Sequence, residues 1–266
     1  MNGERRSLDK AAVLGHPSYV WRAGQQRRFD LISAWARVAG ADVLVDGAGV
    51  GQYSRHLAAA GARVTSLDID LPSMVAAGQH LSRCVAAACE ALPFASASFD
   101  TVLSHEVLEH VHDDAASVRE IARVLRPGGR FVLFLPNRLH PFETHGHYWR
   151  GVYHFGNTLG INYLPDSLRN RLAPHVKAYT PGDVRRLLAV APLRILLHTQ
   201  VYPGYDNIIY RFPRLGRLVR SATYTFENTP LRVFGNSHFL VAEKVSVKDS
   251  VKVSEKAEEY FRNRAT

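Results

Sequence analysis

The chain has 266 residues, 46% hydrophobic and 21% charged, with 33 Lys and Arg against 24 Asp and Glu for a formal net charge of +9. That length holds one large α/β domain or two small ones with a sizeable core, and the composition excludes disordered and fibrous classes. Cys84 and Cys89 are too few for a disulfide framework, no run approaches the ~18 apolar residues of a membrane span, and the opening MNGERRSLDK has no signal-peptide core, so a soluble cytoplasmic protein is expected.

Up to residue 40 the chain reads as helical cover, with Trp21, Phe29, Leu31, Ile32, Trp35 and Val38 in an interrupted amphipathic pattern. A short strand at 43–45 leads through glycines to a helix at 52–60 that stops before Gly61. A second strand at 63–67 precedes a helix at 71–83 opened by Pro72. A strand at 101–104, a helix at 114–125, the turn Pro127-Gly128-Gly129 and an apolar strand at 131–135 follow. Strands apolar on both faces, alternating with helices, predict an α/β fold with a doubly wound, mostly parallel sheet and helices on both faces. Between 138 and 180 periodicity weakens and His, Tyr, Phe, Asn and Pro accumulate, as in an insertion that builds a substrate pocket. A helix at 181–189, strands at 193–197 and 237–242, and a charged tail complete the chain. The expected organisation is a helical cover at 1–40, one domain at 41–244 with an insertion at about 138–180, and the tail at 245–266.

Ligands of such sheets sit beyond the carboxyl ends of the strands, where the glycine turn, Asp68, Ser104 and Asn137 all fall. The turn is Gly47-x-Gly49-x-Gly51. A nicotinamide fingerprint needs a glycine where Gln52 stands, and a P-loop needs a Lys-Ser/Thr pair where the chain has Gln52-Tyr53. Positions without side chains still let the backbone approach a ligand closely, and Asp68 is placed to accept from a ribose diol. A neutral to cationic nucleoside-like ligand fits. The plain alternative is a structural turn beside a surface aspartate.

The wider series resembles class I S-adenosylmethionine-dependent methyltransferases, in particular the large group with ordered LPF, EVLEHV and LRPGG motifs. Its counterparts here are Leu92-Pro93-Phe94, Phe99-Asp100, Glu106-Val107-Leu108-Glu109-His110-Val111, Arg123-Val124-Leu125-Arg126-Pro127-Gly128-Gly129 and Pro136-Asn137. Less specifically, 175–181 and 229–244 resemble the C-terminal half of that group. The resemblance implies a Rossmann-like methyltransferase whose cofactor is S-adenosylmethionine. It places Gly47, Ala48 and Gly49, in the turn closed by Gly51, against the methionine part of the cofactor, and Asp68 on its ribose. Ile69 would flank the adenine, Cys89 and Glu90 would meet the adenine edge, and Ser104 and His105 the methionine moiety. Two positions depart from the pattern. Val45 stands where the group carries an acid, and Asp46, one residue later on the opposite strand face, is the cofactor-binding candidate in its place. Ala88 replaces an adenine-binding Asp, which leaves recognition to backbone groups near Cys89.

Methyl transfer needs an aligned nucleophile, excluded water and, for a hydroxyl acceptor, a group that takes its proton. Candidates cluster after Asn137: His140, Glu143, His145, His147, Tyr148 and His154. His145 and His147 are the catalytic candidates, imidazole being the natural base near neutral pH. Ordinary loop packing, or a divalent-metal site of His145, His147 and Glu143, are the other readings, and no metal is assigned. His110 is expected on a helix after Ser104, in a structural role.

No Asn/Asp-Pro-Pro-Tyr/Phe sequence follows Phe99-Asp100, which argues against exocyclic amines of DNA bases, and neither cysteine suits a pyrimidine C5 mechanism. The basic residues form no dense block, so DNA is not an expected partner and RNA is disfavoured. The expected activity is methylation, by preference at oxygen, of a small-molecule, lipid-linked or glycan-like acceptor. The alternatives are a catalytically inactive cofactor-binding partner protein and an RNA-binding protein of this fold. Stretch 205–221 sets Arg211, Arg214, Arg217 and Arg220 among Ile208, Ile209, Phe212, Leu215, Leu218 and Val219. It reads as a basic amphipathic helix from near Pro213: a peripheral membrane contact, a holder of an acidic acceptor, or a core-packed helix with a solvated arginine face.

Overall fold

Seven strands make one sheet, and in all but one edge strand the apolar residues alternate between two cores. Val43, Val45, Leu103, Val132, Phe134 and Phe239 pack on one face with Ile32 and Leu57, while Leu44, Val102, Phe131, Leu133 and Leu240 pack on the other with Val118, Ile121 and Val184. The strands are β1 (Asp42–Asp46), β2 (Arg63–Asp68), β3 (Cys84–Ala86), β4 (Phe99–His105), β5 (Leu125–Pro136), β10 (Leu193–Val201) and β11 (Ser237–Lys244). Their order is β10-β11-β5-β4-β1-β2-β3, with β11 antiparallel to both neighbours and the other pairs parallel. This is the expected doubly wound, mostly parallel α/β sheet. The chain changes direction between β1 and β4, so a crevice opens at their carboxyl ends. The computed structural model describes residues 20–245, so residues 1–19 of the expected cover and 246–266 of the expected tail lie outside the described residues.

The helices flanking the sheet are α1 (Ala23–Trp35), α2 (Gln52–Ala59), α3 (Leu71–Gly78), α4 (Asp114–Val124) and α6 (Pro181–Leu188). α3 starts where the Asp70 side chain accepts from Ser73 N, with Pro72 in its first turn. It stops at Gly78, earlier than the expected 83, because the chain must reach the edge strand β3. α6 opens with a capping box in which Thr180 and Asp183 bond reciprocally to each other's backbone. The insertion carries two small ribbons, β6 (Phe142–Glu143) with β9 (Thr158–Leu159) and β7 (His147–Trp149) with β8 (Val152–His154), and then α5 (Asp166–Leu172). α7 (Asp206–Arg211) and α8 (Pro213–Phe226) form a hairpin before β11. Among the described residues no helix is long and apolar enough to cross a membrane.

Candidate functional site

After β1 the chain turns through Gly47, Gly49 and Gly51 with φ of 66°, 52° and 80°, a region that residues with a Cβ rarely adopt. A Cβ on Gly47 would lie 2.1 Å from Val107 Cγ2, so the turn packs directly on the segment that leaves β4. Ala48 N donates to Leu67 O at 2.9 Å. Asp68 joins the two loops: its Oδ2 accepts from Gly49 N and its Oδ1 from Asp70 N, each at 2.8 Å. The carboxylate is thus fixed at the end of β2 and remains half-buried.

Beyond these strand ends lies a cleft of about 1150 Å³. Of the expected cofactor residues, Gly47, Ala48, Gly49, Asp68 and His105 line it. Asp46, Cys89 and Ser104 lie buried: Asp46 Oδ2 accepts from Ser104 Oγ at 2.9 Å and from Cys89 Sγ at 3.1 Å. Burial pushes the Asp46 carboxyl up to about 6 against the two hydrogen bonds. Gly51 begins α2, facing Leu81. Ile69 is exposed, and Glu90 accepts from His112 N at 3.1 Å.

Sequence reasoning missed Arg28. From α1 it reaches across the cleft, donating to Glu106 Oε1 at 2.7 Å and Ser237 Oγ at 2.9 Å, with His105 Nε2 at 2.8 Å. No local spacing marks it, since only the packing of α1 on the sheet brings it there. Burial alone would raise the Glu106 carboxyl, but the Arg28 guanidinium overrides this and holds it well below the usual range. Burial, reinforced by Arg28, lowers His105 to about 4 and keeps its ring neutral. Glu106 itself has φ 57°, strained for a residue with a side chain, which turns its carboxylate toward Arg28 as β4 ends.

The histidine window divides. His147 pairs its Nδ1 with Thr158 Oγ1 at 3.0 Å, stacks on His154 and does not line the cleft. His145 does line it. The Nδ1 of His145 lies 3.1 Å from Glu143 Oε1, which also accepts from the His145 backbone N at 3.0 Å. The other Glu143 oxygen accepts from Arg169 Nη2 at 2.9 Å, and Arg169, buried on α5, donates also to Val176 O. Burial opposes charge on His145, but the hydrogen bond to Glu143 and the carboxylates of Glu109 and Glu106 outweigh it and raise its pKa. Burial likewise opposes ionised Glu143, yet its bond to His145 holds it down at about 2.

Facing His145 Nε2 at 3.9 Å is Glu109, 1% exposed, with neither carboxylate oxygen hydrogen-bonded. Burial pushes its pKa up to about 8. His110 sits on a turn after β4, a correction of the expected helix: β4 ends at His105 and α4 begins only at Asp114. Its Nδ1 lies 3.2 Å from His175 O, and burial followed by the nearby His145 lowers it to about 4. One ligand atom each from Glu109, His110 and His145 lie within 4.8 Å of one another. Two imidazoles and a carboxylate are a donor set for a divalent metal. The set differs from the His145, His147 and Glu143 combination considered from sequence, because Glu143 is committed to Arg169 and His145.

A family model described as a methyltransferase domain matches residues 44–133, from β1 into β5. The ubiquinone biosynthesis O-methyltransferase of Xanthomonas oryzae pv. oryzae is 34% identical over 155 residues, covering 52% of this chain and 63% of that protein. Its namesake from Aromatoleum aromaticum is 33% identical over 173 residues, covering 62% of this chain and 69% of that protein. The chain therefore spans a little under two thirds of the length of the first of these relatives. In fold it is similar to an S-adenosylmethionine-dependent methyltransferase from Mesorhizobium loti, with a TM-score of 0.59 at 20% identity over 83% of this chain and 98% of that one. Sheet order, glycine turn and these matches agree: the chain belongs to the class I S-adenosylmethionine-dependent methyltransferase family.

Proposed function

We propose that the protein transfers the methyl group of S-adenosylmethionine to an oxygen of a small-molecule, lipid-linked or glycan-like acceptor. The observation that carries this reading is the single cleft joining the glycine turn and Asp68 to His110 and His145. The residues fit the cofactor, with the Gly47–Gly49 turn on the cleft wall, a fixed carboxylate at Asp68 and a guanidinium at Arg28. The two relatives from Xanthomonas oryzae and Aromatoleum aromaticum, both named as O-methyltransferases, support oxygen as the accepting atom. Residues 41–244 would form the methyltransferase domain, with 138–180 on the acceptor side and 1–40 as cover. The free cysteines fit work in the cytoplasm.

When bound, the cofactor supplies an electrophilic methyl group. Asp68 would hold the ribose hydroxyls, Gly47, Ala48 and Gly49 would admit the methionine part, Asp46, Cys89 and Ser104 would support the floor of the pocket, and Arg28 would meet the carboxylate. Because Glu143 occupies His145 Nδ1, the neutral ring would carry its proton there and leave Nε2 as the site that would accept the acceptor's hydroxyl proton. Arg169 keeps Glu143 charged and in place. His147, turned toward Thr158, is left without a part in this step. A second reading is favoured by the Glu109 carboxylate, which no hydrogen bond engages: a divalent ion held by Glu109, His110 and His145 would bind and acidify the acceptor hydroxyl.

Calorimetry with S-adenosylhomocysteine should show micromolar or tighter binding, no binding of nicotinamide dinucleotides, and a loss of ~1–3 kcal/mol in Asp68→Ala. The reverse ligand preference overturns the assignment. Labelled cofactor incubated with a metabolite and lipid extract should then yield a methylated product identifiable by mass. Binding without any product would favour the inactive partner protein instead. A chelator that abolishes turnover, with recovery on adding a divalent ion, selects the metal reading over the base.

A further inference from the structure

The solvent side of α8 carries an apolar stripe beside its exposed arginines. Leu215, Leu218, Ala222 and Phe226 recur at three- and four-residue spacing and so share one stripe. All four are exposed, Leu215 at 55% and Leu218 at 67%. The stripe is held outward by the inner contact: Gly216 is buried against α7, where a Cβ would lie 2.6 Å from Ile209 N. At the hairpin tip Tyr210 is 92% exposed, and Phe212 projects beside it.

The charge around this stripe has one sign. Arg211, Arg214 and Arg217 are exposed along it, and no ion pair among the described residues engages them. The only acid between 206 and 226 is Asp206, which turns inward to accept from Gly24 N at 3.1 Å. An exposed apolar stripe flanked by unpaired arginines complements a surface with hydrocarbon below and anionic groups above. Arginines with aromatics also suit single-stranded nucleic acid, but Leu215 and Leu218 offer nothing to a base or a phosphate and would stay in water.

We propose that the α7–α8 hairpin docks on an anionic lipid bilayer, with Tyr210, Phe212, Leu215 and Leu218 entering the interface and Arg211, Arg214 and Arg217 meeting the headgroups. Docking does not depend on the methyl-transfer reading, yet it bears on the cleft, because Tyr205, Ile208 and Tyr224 of the same segment line it from the inner side. The membrane would then lie against one wall of that cleft.

Co-sedimentation of the full chain with vesicles tests this. Vesicles of phosphatidylcholine mixed with phosphatidylglycerol should carry the protein down, pure phosphatidylcholine far less, and added salt should weaken the binding. The double variants Leu215→Ser/Leu218→Ser and Arg214→Gln/Arg217→Gln should each bind about tenfold more weakly or worse, while thermal melting and S-adenosylhomocysteine binding stay as in the wild type. Failure to sediment with anionic vesicles, or sedimentation unaffected in both double variants, overturns the docking surface. So does binding of single-stranded RNA that depends on Arg214 and Arg217 while vesicles are ignored.

Discussion

Glu109 departs furthest from the rule that buried polar groups are partnered. Its pKa of about 8, against an ordinary 4.5, means the folded protein keeps a proton that the unfolded chain sheds. Stability from this group is therefore full below about 4.5, falls as pH rises, and levels above about 8. His105 and His110, both lowered to about 4, act in the opposite sense between that value and 6.5, so the informative comparison is variant against wild type. Metal-free Glu109→Gln should gain on the wild type progressively from pH 5 to 8, reaching a few kcal/mol (about 2–4 at most). Melting temperatures that keep a constant difference would show that the carboxylate is solvated. For His145 the sign is that of a base, which works only when unprotonated. Because its pKa is raised, turnover should climb with pH through a point above 6.5 and then level. His145→Ala should cost ~10²-fold in turnover with cofactor binding intact, and Glu143→Gln should move the climb to lower pH. A profile that Glu143→Gln leaves in place would remove His145 from the proton path.

Among the elements, the glycine turn makes the sharpest demand on the sequence. Gly47→Ala meets both a positive φ and Val107 at 2.1 Å, whereas Gly128→Ala meets φ 76° with nothing within 4 Å. Urea midpoints should show Gly128→Ala losing ~1 kcal/mol and Gly47→Ala losing more, about 2–4 kcal/mol, with weakened cofactor binding only in the second. Equal losses would mean that Val107 yields freely. This turn was legible from sequence because its glycines stand between two apolar runs. The strands β1, β4 and β5 were legible from their short apolar runs, 43–45, 102–103 and 131–135, which lie buried as the strands of a parallel sheet with both faces covered do. β3 was not: it spans three residues, Cys84–Ala86, none of them buried, and pairs with β2 alone. The ribbons of the insertion are as short. Arg169 was equally hidden, since a buried arginine becomes intelligible only when Glu143, 26 residues earlier, is folded against it. The Glu106–His110 stretch has helical spacing but forms a turn, because Glu106 takes a left-handed conformation and draws its carboxylate to Arg28.

At the scale of the molecule, segments from the two ends of the described chain close over the cleft. Gly24 N donates to Asp206 Oδ2, Arg22 Nη1 donates to Asn207 Oδ1 at 3.1 Å, and Arg27 pairs with Glu227 while lying 3.9 Å over the Tyr224 ring. Glu227 also accepts from Tyr202 N at 2.8 Å, and Gly204 packs so tightly on Gly24 that a Cβ there would meet Gly24 Cα at 2.6 Å. This polar clamp holds α1, and with it Arg28, above the glycine turn. It is built from hydrogen bonds at half-exposed sites, which open at lower free energy than a buried sheet. Replacing Glu227 with Gln should therefore speed amide hydrogen exchange in α1 and in 202–212 by about tenfold, from a loss of ~1–2 kcal/mol. Exchange in β1, β4 and β5 should not change, and S-adenosylhomocysteine should bind more weakly because Arg28 is held less firmly. Exchange that accelerates equally in the sheet would instead place α1 in the same cooperative unit as the core. Cofactor binding that survives an opened α1 would show that Arg28 serves Glu106 and the fold rather than the ligand.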